Sequence, residues 1–213
     1  MLHDRYNAVV MRLYELDTYF RNLLEIDDLA RVDNSLNGIQ VGVPEADITR
    51  VAFAVDACME TFERATAEGA QLLFVHHGLF WGSNIRVIGS HYRRIAHLIQ
   101  HGCGLYACHL PLDRHPEFGN NAGMAAALGV SEIEPFGEYH GVKIGVKGRL
   151  SPPKSVDMIL ETLHLDRDTC NSILPFGKAE NASVGIVSGG ATRERGLSAS
   201  GIWLQNDTVS ASS

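Results

Sequence analysis

The apolar positions change period along the chain. Over residues 7–24, Val10, Leu13, Leu16, Phe20, Leu23 and Leu24 fall at helical spacing, which predicts an amphipathic helix. From residue 51 the pattern becomes short continuous apolar runs separated by helical ones. Val51-Ala52-Phe53-Ala54-Val55 reads as a buried strand ending at Asp56. Residues 57–68 put Met59, Phe62 and Ala65 on one helical face and stop at Gly69. Leu72-Leu73-Phe74-Val75 is a second strand, and a polar, glycine-bearing loop follows over 78–89, holding Phe80 and Trp81. Residues 91–101 form a second helix with Ile95, Leu98 and Ile99 inward, and Gly104-Leu105-Tyr106-Ala107-Cys108 is the third strand. The order is βαβαβ, and right-handed crossovers make such strands parallel. The expected fold class is α/β, a mostly parallel βαβ sheet flanked by helices. All three strands then end at one sheet edge, where open α/β sheets place their sites.

Beyond residue 114 the pattern is weaker. Residues 122–128 make an alanine-rich helix. Residues 141–150 alternate apolar positions with Lys, Gly or Arg, as a half-exposed strand does, and Pro152-Pro153 punctuates it. A helix over about 154–164 follows, with Val156, Ile159, Leu160 and Leu163 on its apolar side. Ser183-Val184-Gly185-Ile186-Val187 is a further strand, running into Ser188-Gly189-Gly190-Ala191. Amides in such a turn can cradle an anion, although a plain strand-to-helix turn is the better account. A helix is expected from Thr192, but the sequence turns polar and its last residues show no helical face. The expected division is an α/β domain over 1–130, a second smaller α/β lobe with a return strand over 131–195, and an atypical polar tail over 196–213.

Composition narrows the function classes. A chain of 213 residues, 45% apolar and 20% charged, suits one large soluble domain or two small ones. A net charge of −7 argues against coating nucleic acid or an anionic membrane. No apolar run approaches the roughly 20 residues of a membrane span, and Met1-Leu2-His3-Asp4-Arg5 opens without a signal-peptide hydrophobic region. Cys58, Cys103, Cys108 and Cys170 form no CxxC pair. Buried free thiols, a reducing compartment and hence the cytoplasm are expected.

The candidate chemistry gathers at the strand ends. Adjacent residues on a strand point to opposite faces, so His76-His77 can share a target only where the chain twists out of the strand. The βαβαβ order places Asp56, His76, His77, His109 and Asp113 at or just after strand carboxyl ends. Imidazole and carboxylate groups together suit a divalent ion such as zinc, manganese, iron or cobalt. Alternatives stand beside each. His109 could orient a ligand or cap backbone, and Asp56 could N-cap the following helix. Asp33 and Asn34 could face the site, but capping local backbone is favoured. Pro111 is expected to hold 109–113 in an extended or turning path from which Asp113 reaches back. His115 and Glu117 belong to a solvated loop.

Four segments in order carry a family resemblance: Asp33-Asn34-Ser35 with Gly38-Ile39-Gln40-Val41-Gly42, Phe74-Val75-His76-His77-Gly78, Ala107-Cys108-His109-Leu110-Pro111-Leu112-Asp113, and Val187-Ser188-Gly189-Gly190-Ala191. Together they resemble the dinuclear-metal family named GTP cyclohydrolase 1 type 2, or NIF-three (NGG-one interacting factor three), over about residues 5–195. The resemblance implies a two-metal centre in a hexameric toroid and hydrolase chemistry on a small molecule. It assigns His76, His77 and Asp113 as metal ligands and His109 to a histidine in or beside that site, where it would act in catalysis. The family also implies a histidine and a glutamate near the carboxyl terminus. This chain has no histidine after His164, and its only glutamate after Glu180 is Glu194, so a truncated or frame-shifted tail is expected. Neutral histidines with one aspartate suit one ion with an open position better than two, giving one or two ions per chain. Two functions follow: a hydrolase whose metal-activated water attacks a nucleotide or phosphate-type substrate, or a metal- or partner-binding remnant with an incomplete site.

Overall fold

Three parallel strands carry the first part of the chain. In the computed structural model, which describes residues 10–169, 173, 178–189 and 202–206, the chain divides into two compact units, Met1–Pro111 and Leu112–Ser213. The first unit begins with β1 (Met11–Arg12) and α1 (Leu13–Leu23), followed by β2 (Gly38–Val41) and β3 (Asp47–Ile48). It continues through β4 (Val51–Asp56), α2 (Met59–Ala67), β5 (Leu72–His77), α3 (Gly89–Gln100) and β6 (Gly104–Ala107). Its main sheet has the order β2-β6-β5-β4. β4, β5 and β6 run parallel, and β2 is antiparallel to β6.

Alternation along the strands builds two cores. Leu73, Val75, Leu105 and Ala107 face Phe62 of α2 and Leu98 of α3. Both helices cover the same face because both crossovers step the same way across the sheet. Burying side chains such as Phe62 or Leu98 stabilises by about 1.5–3 kcal/mol each. On the other face Phe53, Phe74 and Tyr106 sit at paired register positions. Their rings lie 5.5 and 5.3 Å apart, and Phe20 of α1 packs on Phe74 and Tyr106 at 5.1 and 5.2 Å. The first amides of α1 are satisfied from a loop: Leu13 N donates to Ala46 O and Tyr14 N to Pro44 O, both at 3.0 Å.

The short helix α4 (Leu110–Arg114) follows β6. The extended or turning path expected around Pro111 is thus a helix. Pro111 stands in its first turn, where a missing N–H leaves no bond unmade.

The second unit holds α5 (Asn120–Leu128), β7 (Val130–Tyr139), β8 (Val142–Lys154), α6 (Val156–Thr162), β9 (Asn181–Ser188) and β10 (Ile202–Asn206). The sheet order is β10-β9-β8-β7, antiparallel except that β10 runs parallel to β9. Ala125 and Leu128 of α5 and Ile159 of α6 pack on Leu150, Val184 and Ile186. Gly129 ends α5 at φ 67°, the left-handed turn that glycine adopts without strain. Ser155 starts α6, its hydroxyl accepting from Met158 N at 3.2 Å.

Two further local expectations change, and one strand had no expectation. β8 runs through Pro152-Pro153 to Lys154, because the register with β9 is irregular between Arg149 and Lys154 and no ladder N–H is demanded there. β7 carries no clean alternation, with Glu132, Glu134, Pro135 and Gly137 in its length, and periodicity gave no sign of it. Within the stretch expected as a polar tail, the backbone of Ile202–Asn206 pairs with β9. The helix expected from Thr192 lies outside the described residues.

Among the described residues, Cys58, Cys103 and Cys108 are free thiols, and no helix is long and apolar enough to cross a membrane. Burial pushes the Cys103 thiol up from the ordinary 9.0 to about 11. A folded-state pKa raised in this way contributes stability that is present below the ordinary value and is lost as pH rises through about 11. Urea unfolding is therefore expected to need less denaturant at about pH 10.5 than at about pH 8. Cys103→Ala should shrink that difference, and an unchanged difference would remove the thiol as its source.

Candidate metal centre

The end of β5 places two histidines side by side. Asp56 pairs with His77 as the last register position between β4 and β5, whereas β6 pairs with β5 only as far as Val75–Ala107. The two imidazoles take anchors on opposite sides of β5. His77 Nδ1 donates to Asp56 Oδ1 at 2.7 Å, at the end of β4. His76 Nδ1 donates to Cys108 O at 3.0 Å, just past β6. Their ring centroids end up 4.5 Å apart despite the pleat.

His109 arrives from the end of β6. Its Nδ1 donates to Asp33 Oδ1 at 2.9 Å, and its backbone N–H donates to Asn37 Oδ1 at 2.8 Å. Asn37 Nδ2 in turn donates to Asp33 Oδ2 at 2.8 Å, and Leu110 N donates to the same oxygen at 3.0 Å. Asp33 Oδ1 also accepts from Ser35 N at 2.9 Å. Burial works to raise the Asp33 pKa, but the bonds from His109, Asn37 and Ser35 work against it, and the carboxyl is held below its ordinary value. The His109 ring stands 5.0 Å from His76 and 5.7 Å from His77.

The three hydrogen bonds fix one tautomer. A carbonyl or carboxylate oxygen only accepts, so Nδ1 carries the proton in each ring. In a neutral imidazole Nε2 then keeps the lone pair that a metal takes. A metal-ligating histidine characteristically has its other nitrogen bound to a carboxylate or backbone carbonyl. The ligand atoms of His76, His77 and His109 lie within 4.8 Å of one another. Three imidazole nitrogens gathered in this way are a donor set that suits a divalent ion with a fourth position left open. The donor set therefore fits a divalent ion.

Trp81 lies beside the rings, edge-on to His109 at 4.9 Å and 6.0 Å from His77. Its Nε1 donates to Gly78 O at 2.9 Å.

His76, His77 and His109 thus form one group within the first unit, and His109 has the same kind of place in it as the other two. Asp113 belongs to the second unit. It is 1% exposed there, with Oδ1 accepting from Asn120 Nδ2 at 2.7 Å and its carbonyl from Asn121 Nδ2 at 2.9 Å. Asp56 does not cap α2, whose N-cap is Cys58; its carboxylate holds His77. Asp33 caps the local Ser35 amide, as expected, and also orients His109. His115 caps its own loop, accepting from Phe118 N at 3.0 Å. Ser188 N is bonded to Asn121 Oδ1 at 2.7 Å, and the glycine turn from residue 190 onward lies outside the described residues. Sequence reasoning gave no role to Asn37 or Trp81, although both stand inside or next to the segments it singled out.

Comparison with known proteins shows what the chain is similar to. The chain is 38% identical over 214 residues to a GTP cyclohydrolase 1 type 2 homolog of Treponema pallidum (strain Nichols), covering 85% of this chain and 75% of that protein. It is 40% identical over 196 residues to a protein of the same name from Halobacterium salinarum, covering 90% and 77% respectively. The crystal structure of TTHA1606 from Thermus thermophilus is similar with a TM-score of 0.72 and 37% identity, over 84% of this chain and 71% of that one. The model of the Duf34/NIF3 (NGG1p interacting factor 3) family matches residues 11–198, and the chain belongs to that family.

Proposed function

We propose that the chain is a metal-dependent hydrolase in which His76, His77 and His109 hold a divalent ion and a nucleotide or phosphate-type small molecule is the substrate. The observation that carries this is the common tautomer: three converging imidazoles, each with Nδ1 bound to a fixed acceptor. The name shared by the relatives, GTP cyclohydrolase 1 type 2 homolog, supports a nucleotide substrate. Zinc, manganese, iron and cobalt all suit the donor set. When bound, such an ion supplies Lewis acidity, lowering the pKa of water toward neutrality and stabilising charge on the attacked group. Asp33 and Asp56 hold two of the rings in place and raise their basicity as ligands. The Cys108 carbonyl does the same for His76 without adding charge.

A homo-oligomer, hexameric by the family resemblance, is part of the proposal. Support comes from edge strand β4, which leaves Phe53 71% and Val55 52% exposed. The free thiols support a reducing, cytoplasmic setting.

Protein loaded with zinc or manganese and then dialysed is expected to retain metal by elemental analysis and to hydrolyse GTP or a phosphate ester. His76→Ala with His77→Ala should abolish both. Retained metal without turnover of any such substrate would instead favour a metal-binding module, and no retained metal from folded protein would end both readings.

Replacing a carboxylate behind a ligating histidine typically weakens metal affinity about 10–100-fold. Asp33→Asn is expected to fall in that range and to exceed Asp56→Asn, because the Asp33 side chain is 1% exposed and that of Asp56 43%. Competition with a chromophoric chelator measures both, and an unaltered affinity in Asp33→Asn would show that His109 needs no such partner.

Sedimentation velocity should show a particle of several chains that Phe53→Asp breaks into smaller species. A native monomer at micromolar concentration would remove the oligomer from the proposal.

A further inference from the structure

The loop after β5 holds an aromatic side chain in a way that metal binding does not require. Trp81 is 36% exposed beside His77 and His109. Its indole N–H already donates to Gly78 O, so the exposed part of the side chain offers aromatic surface and not a free polar tip. The backbone beneath it is fixed from another segment. Gln40 Oε1 accepts from Leu79 N at 2.7 Å, Gln40 Nε2 donates to Leu36 O at 2.8 Å, and Leu36 N donates to Phe80 O at 3.0 Å. The Gln40 amide lies so close over Gly78 that any Cβ there would collide with it. A large apolar ring held rigid next to a site loses little further freedom when a ligand covers it, and aromatic faces prefer stacked or edge-on aromatic partners.

We propose that Trp81 is a substrate-positioning residue, a platform that stacks the purine ring of a nucleotide beside the three-histidine group. The proposal deepens the hydrolase reading and rests on it for the chemistry that follows binding. Phosphate and ribose have no π face, so the platform distinguishes a nucleotide from a bare phosphate ester. Base stacking on an aromatic side chain corresponds to about tenfold or more in affinity.

The chain has two tryptophans, and Trp203→Phe leaves Trp81 as the single indole. GTP, ATP, inorganic triphosphate and ribose 5-phosphate are titrated into this variant with and without zinc, following indole emission excited beyond the purine absorption. The two nucleotides are expected to quench saturably and the two ring-free probes not to. In the otherwise native chain, Trp81→Ala should weaken GTP binding in equilibrium dialysis by about tenfold or more, and Trp81→Phe should recover most of the loss, with zinc content unchanged in both. Inorganic triphosphate binding as tightly as GTP, neither nucleotide quenching, or native GTP affinity in a folded Trp81→Ala would each overturn the platform. Absence of zinc uptake in all these proteins would overturn the hydrolase reading alone, and purine-specific quenching in them would still support the platform.

Discussion

One buried carboxylate sets where the site can be. Asp33 is 8% exposed and receives two donors on each oxygen, from Ser35, His109, Asn37 and Leu110. An ionised carboxylate removed from water is strongly destabilising unless its lone pairs are filled, and losing one partner leaves the rest of the charge uncompensated. The loop that carries Asp33 and the chain leaving β6 therefore cannot shift independently. His109 is held by a residue 76 positions away in sequence, and Leu110, the first residue of α4, donates its backbone N–H to that same carboxylate.

The pleat imposes the second constraint. Neighbours on a strand diverge, and His76 and His77 are the last two residues of β5. Their rings converge because each has its own anchor. His77 reaches sideways to Asp56 on β4, and His76 reaches to the Cys108 carbonyl on the other flank. This works only in a parallel arrangement, where β4 and β6 end near the same edge as β5. The strand order thus has a chemical consequence, because it supplies one acceptor on each side of the central strand.

That much of the fold follows from local patterns. Val51–Asp56, Leu72–His77 and Gly104–Ala107 are apolar runs in a βαβαβ order, and their parallel pairing follows from the crossover rule. The histidines at their ends were legible for the same reason. The partners of those histidines were not. A carboxylate such as Asp56 looks the same in sequence whether it caps a helix or holds a ring, and the register Asp56–His77 that decides it is a tertiary fact. Asp33 does both jobs, so the capping expectation was sound and incomplete. β7 was hidden because its Glu, Pro and Gly positions erase the two-residue period, and α4 because proline reads as a breaker away from a first turn.

The charge balance of the group explains why neutral ligands can suffice. A divalent ion among three imidazoles gains no formal negative charge from its direct ligands. Asp33 and Asp56 stand behind two of the rings, bonded to the Nδ1 protons. They place two negative charges behind the rings without themselves joining the three-histidine group. The two are unequal. The Asp56 side chain is 43% exposed, so water screens it, whereas the Asp33 side chain is 1% exposed and acts through a poorly screened medium. The negative charge behind the group is therefore less screened on the His109 side, the side on which Trp81 packs edge-on against the ring. The metal role proposed for His109 and the substrate role proposed for Trp81 then fall on one flank of the site, fixed by the same segment: Asp33 anchors His109, and Gln40, seven residues later, anchors the loop that carries Trp81.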